Sequence, residues 1–93
     1  MLAQIPQNFE KLSKEQLDKE ILRVGMIAEL DAINLYEQLA AMTDNKILKE
    51  ILMDIAREEK THVGEFETML LKLDQEQVKE SAKGKEEVEE LTQ

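Results

Sequence analysis

Apolar residues return at alternating steps of three and four along most of this chain, which is the period of a helix face. One row reads Leu22, Met26, Glu29, Ile33, Tyr36, Ala40, and a second reads Leu48, Leu52, Ile55, Glu59, His62, Phe66, Met69, Leu73. Ser13 followed by Gln16 has the pattern of a capping box, so a first long helix is expected from there to about Met42. Thr43-Asp44-Asn45 breaks the period with side chains that favour turns and helix starts. A second long helix is expected from about Asn45 to Leu73. So short a connection folds the two helices back as an antiparallel hairpin. Asp74 with Gln77 reads as another cap, opening a shorter third helix that Gly84 is expected to interrupt or end. The chain thus divides into an extended lead-in over 1–12, a helical hairpin over 13–73, and a short C-terminal helix with an acidic tail over 74–93. The expected fold class is all-α.

The first helix is too apolar for a hairpin standing alone. Arg23, Asp31, Asn34, Glu37 and Gln38 gather on one side of it, while Leu17, Ile21, Val24, Ala28, Leu35 and Leu39 widen the apolar surface beyond the row that carries Glu29. Such a helix needs covering on more than one side. One partner helix cannot do this, so self-association is expected, with a dimer completing a four-helix bundle. Gly25 lies inside this helix, where glycine costs roughly 1 kcal/mol relative to alanine; close approach by another helix would explain it.

Three residues interrupt the apolar rows with chemistry. Glu29, Glu59 and His62, the only histidine, point where a core should be, and a buried carboxylate is costly unless it is paired or bound to metal. Glu59 and His62 form Glu-x-x-His, whose spacing brings both side chains to one point beside the helix. One hairpin supplies two carboxylates and one imidazole. Two hairpins about a twofold axis supply four and two, the ligand set of bundle di-iron carboxylate sites. Glu29 is then the expected bridging ligand, with Glu59 and His62 as terminal ligands, for two Fe ions per dimer. Taken singly, each residue has a plainer reading. His62 suits a hydrogen-bonded core histidine, Glu59 a contact that sets helix register, and Glu29 a partner for a basic residue of a neighbouring chain. Tyr36, two turns beyond Glu29, is either a hydrogen-bond partner of a ligand or an ordinary core tyrosine. Met26, Met42, Met53 and Met69 read as core filler.

Composition narrows the field. With 93 residues there is room for one small domain, short for a self-sufficient core. The absence of cysteine excludes disulfides, zinc–thiolate sites, iron–sulfur clusters and thiol catalysis. A net charge of -9 opposes binding to phosphate backbones, so no nucleic-acid partner is expected. No apolar run is long enough to span a membrane, and Met1 to Phe9 lacks the basic start and apolar stretch of a signal peptide. The expected location is cytoplasmic.

The stretch Ala28-Glu-Leu-Asp-Ala-Ile-Asn-Leu-Tyr-Glu37, followed by Arg57-Glu-Glu-Lys-Thr-His62, resembles the encapsulated ferritins. These are two-helix members of the ferritin-like superfamily that operate inside encapsulin shells. The resemblance covers about residues 15–80. It implies a ferroxidase that oxidises Fe(II) with O₂ or peroxide at a di-iron centre formed across a dimer interface from Glu29, Glu59 and His62 of both chains. It further implies a ring of dimers, typically a decamer, that is open and leaves the iron mineral to a surrounding encapsulin nanocompartment. Asp31 matches a metal-uptake position that carries Glu in relatives, and Ala28 stands where relatives can carry another acid. Some relatives are fused to the shell protein, and the acidic tail after Lys83 suits the start of such a linker; a free cargo protein is the other reading. Two further functions stay open. One is a rubrerythrin-like peroxide-reducing di-iron protein, disfavoured by the lack of cysteine. The other is a non-catalytic helical scaffold in which Glu29 and His62 only set register.

Overall fold

A computed structural model of the protein describes residues 13–93; the lead-in expected over 1–12 lies outside them. Three helices follow one another: α1 (Lys14–Met42), α2 (Lys46–Leu73) and α3 (Gln75–Leu91). There is no strand among the described residues, and no helix among them is long and apolar enough to cross a membrane. The all-α expectation holds.

Local chemistry sets the helix ends. At the start of α1 the Gln16 N–H donates to the Ser13 hydroxyl at 3.2 Å and the Ser13 N–H donates to the Gln16 side chain at 3.3 Å, the reciprocal pair of a capping box. Asn45 opens α2, its side-chain oxygen accepting from the N–H groups of Ile47 (3.0 Å) and Leu48 (3.1 Å). Only three residues separate α1 from α2, so the helices return antiparallel and pack along their length. Leu22, Ile33 and Ala40 of α1 and Ala56 and Leu70 of α2 are the buried apolar residues. That core is small. Ile21, Leu35 and Met42 on α1 and Ile47, Ile51 and Met69 on α2 stay exposed, more apolar surface than a single hairpin can cover.

Asp74 serves both α2 and α3. Its N–H donates to the Leu70 carbonyl at 2.9 Å and closes α2, while its side chain accepts from the Gln77 N–H at 3.0 Å and caps α3. Its second carboxylate oxygen takes the Arg23 guanidinium at 2.8 Å. Arg23, read from sequence as one of the wet residues of α1, is half-exposed yet ties α1 to this elbow across 51 residues of chain. The capping hydrogen bond from Gln77 holds the Asp74 carboxyl below its ordinary range; burial opposes this, and Arg23 and Lys19 reinforce it.

α3 leaves the hairpin rather than lying along it. A helix the length of α1 is about 43 Å long, and the described residues measure 48 × 43 × 18 Å, nearly as wide as they are long but thin. No residue of α3 is buried. α3 also corrects the expectation at Gly84: the helix continues through that residue to Leu91, so helix covers most of the stretch read as an acidic tail. Gly84 does not take a positive φ, and one glycine penalty of roughly 1 kcal/mol is outweighed by strong helix formers such as Ala82, Lys83, Lys85 and Glu86 around it. Lys85 and Glu89 pair one turn apart at 3.9 Å.

Candidate metal centre

Antiparallel pairing around a turn at 43–45 sets the middle of α1 opposite the middle of α2, which places Glu29 across from Glu59 and His62. His62 Nδ1 lies 3.4 Å from Glu29 Oε2 and 3.5 Å from Glu59 Oε2. One donor atom from each of the three residues falls within 4.8 Å of the other two. An ion held about 2.1 Å from each donor would space neighbouring donors roughly 3.0 Å apart and opposite donors roughly 4.2 Å apart. The observed spacings differ little from that range, so small side-chain movements suffice to close the set on a first-row divalent ion. Two carboxylates and an imidazole are the hard and borderline donors that suit iron.

Burial is uneven across the cluster. The Glu29 and Glu59 side chains are each 19% exposed, and the His62 side chain is 45% exposed. The carboxylates are thus held within the hairpin while the imidazole lies at its open face. Beside them Lys60 reaches Glu37 at 3.3 Å and bridges α1 and α2.

The other residues singled out from sequence sit apart. Asp31 is half-buried and outside the three-residue cluster. Tyr36 is half-buried and makes no hydrogen bond to Glu29 or Glu59 among the described residues. Glu58, next to Glu59 in sequence, is exposed and outside the cluster. Sequence reasoning passed over Glu20, whose Oε2 is buried without a hydrogen-bond partner among the described residues, in a recess with Gln16, Lys19 and Arg23. Glu20 belongs to neither apolar row, so no periodicity marked it.

A carboxylate on one helix facing Glu-x-x-His on the next, in an antiparallel hairpin with an uncovered apolar face, defines a ferritin-like protomer. The chain belongs to the EncFtn-like family, whose family model matches residues 4–81. It is 60% identical over 80 residues to the ferritin-like-encapsulin shell fusion protein of Pyrococcus furiosus, a match that covers 86% of this chain and 23% of that protein. It is 40% identical over 79 residues to the encapsulin nanocompartment cargo protein EncC of Myxococcus xanthus, covering 85% of this chain and 58% of that one. The chain therefore spans only part of the length of either relative. Among solved structures, the encapsulated ferritin domain from Pyrococcus furiosus matches 99% of this chain and 96% of its own, with a TM-score of 0.86 and 52% identity. The likeness read from the two motifs thus extends to the fold of the described residues.

Proposed function

We propose that this protein is a ferroxidase, oxidising Fe(II) to Fe(III) at a di-iron centre built from Glu29, Glu59 and His62 of two chains. One observation carries this reading: one donor atom each of Glu29, Glu59 and His62 converge within 4.8 Å at a face that the hairpin alone leaves open. A second hairpin on that face doubles the donor set and covers apolar residues that otherwise meet water. The four carboxylates then balance the charge of two divalent ions.

Iron is the substrate, and the electrons go to a small oxidant. With oxygen, two Fe(II), one O₂ and two protons give two Fe(III) and one H₂O₂; with peroxide, two Fe(II), one H₂O₂ and two protons give two Fe(III) and two waters. The protein's part is binding and charge. The Glu29 carboxylates of the two chains would lie between the two ions and offset their repulsion, while Glu59 and His62 would complete the hold on each ion. Anionic oxygen donors favour the more highly charged product, which lowers the barrier to electron loss. Asp31, on the same helix but outside the cluster, is suited to passing cations inward.

The names of the relatives supply the setting. One is a fusion of a ferritin-like part with an encapsulin shell and the other is an encapsulin cargo protein. We place this chain in the same role, a ring of dimers, decameric by family likeness, within a cytoplasmic encapsulin nanocompartment where Fe(III) is mineralised. The test is air oxidation of added Fe(II), followed by near-ultraviolet absorbance, for the native chain and Glu59→Ala. The native chain is expected to outpace both buffer and variant. Coincident traces from oligomeric samples would leave the three residues either as a site for another metal or as core polar groups of a scaffold, where removing Glu59 would stabilise rather than disable.

A further inference from the structure

Gly25 lies one turn before Glu29 on the same face of α1, and Phe66 lies one turn after His62 on the same face of α2. Antiparallel pairing brings them together. A Cβ at position 25 would stand 3.1 Å from Phe66 Cε2 and Cζ and 3.3 Å from Cδ2. Gly25 does not use the conformational freedom of glycine, because its φ is not positive. Position 25 requires instead that no side chain be there. Gly64 and Gly84 provide the contrast, since nothing lies within 4 Å of a Cβ built at either.

We infer that Gly25 is a positioning residue for the Glu29–Glu59–His62 centre: the notch it leaves admits the Phe66 ring and sets how closely α1 and α2 approach one turn from the ligands. The inference rests on that centre binding metal. Carbon atoms in contact settle at about 3.5–4.0 Å, so a methyl group at position 25 needs roughly half an ångström that is not there. Two adjustments can supply it. If the helices part, the displacement passes along stiff helices to Glu29, about 6 Å away along the axis, and lengthens its separation from His62. If the ring turns aside, it moves within the row that holds His62. Metal–ligand distances tolerate only about 0.2 Å, so either adjustment loosens the site. This also explains why a helix interior carries a residue that costs about 1 kcal/mol against alanine.

The experiment is an anaerobic titration with Co(II), which accepts the same carboxylate and imidazole donors, read by its visible absorption. Sedimentation runs alongside. Gly25→Ala is expected to bind Co(II) on the order of 10-fold more weakly, with an altered spectrum, the usual scale for losing a group that orients a ligand. Gly25→Ala with Phe66→Leu makes room for the methyl group and should recover most of the affinity, a non-additivity that general destabilisation would not give. Gly84→Ala should match the native protein. If Gly25→Ala does not assemble, Phe66→Leu alone decides: weaker binding upholds the role and unchanged binding overturns it. A native Co(II) spectrum with an unchanged Gly25→Ala overturns the positioning role alone. No Co(II) spectrum from the native protein overturns the centre and this inference together.

Discussion

Replacing Glu29 with glutamine should stabilise the metal-free protein and at the same time remove its response to metal. The structure sets the scale. Donor oxygens of Glu29 and Glu59 lie no more than 4.8 Å apart. Two unit negative charges at that distance repel by about 3.5 kcal/mol at an effective dielectric of 20 and by about 0.9 kcal/mol in water. Both side chains are 19% exposed, so the repulsion lies between these limits, and a gain of roughly 1 kcal/mol on neutralising one of them is a fair working figure. In a domain of this size such a gain moves the melting temperature by about 4–8 °C. Glutamine has nearly the shape of glutamate and keeps an oxygen that can face His62, so packing is little disturbed. Metal reverses the order. A ligand at 100 times its dissociation constant stabilises the native state by about 2.7 kcal/mol, a gain open to the native chain and largely closed to Glu29→Gln. The assay is thermal unfolding at fixed protein concentration and about pH 8, under nitrogen, with and without excess Fe(II). The variant should melt higher without iron and lower with it. A variant that melts lower in both, or rises as much with iron as the native chain, would mean that Glu29 neither repels Glu59 in the metal-free protein nor binds metal.

Two further outcomes follow from other parts of the structure. Hydrogen bonding from Gln77 lowers the Asp74 carboxyl below 3.8 against the opposing effect of burial, with Arg23 and Lys19 assisting. A carboxylate depressed on folding adds stability that is fully present above the unfolded value and is lost as the pH falls through the folded one. The native chain should therefore lose thermal stability below about pH 4 more steeply than Asp74→Asn, whose amide still caps α3 at every pH; equal acid slopes would contradict this. Gly84→Ala meets no atom within 4 Å and should slow amide exchange in α3 by an amount equivalent to roughly 1 kcal/mol; unchanged exchange there would mean that α3 gains nothing from local propensity.

The parts of the fold legible in the sequence are those governed by neighbours along the chain. Ser13 with Gln16, Asn45, and Asp74 with Gln77 satisfy helix-end N–H groups within three residues, so helix starts could be read from order alone. The cluster was legible for a related reason: Glu29, Glu59 and His62 break apolar rows, and a three-residue turn dictates which parts of the rows meet. What depends on distant contacts was not legible. Arg23 resembled any solvated arginine until the elbow at Asp74 was placed beside it. Gly84 resembled a helix end because a single glycine carries no information on how strongly its neighbours hold the helix. The outward course of α3 is set at that elbow, where one aspartate ends one helix, starts the next and pairs with a third element. Gly25 was recognised as a site of close approach, but only the fold could identify Phe66 as the group that fills it.

The central claim is that one chain holds half a site and two chains complete it. Native mass spectrometry of protein titrated anaerobically with Fe(II) tests this most directly. Two iron ions are expected on dimeric species, none retained on monomer, with a shift of population from monomer to dimer as iron is added. One iron ion per monomer, with the same distribution of species at every iron concentration, would contradict the claim.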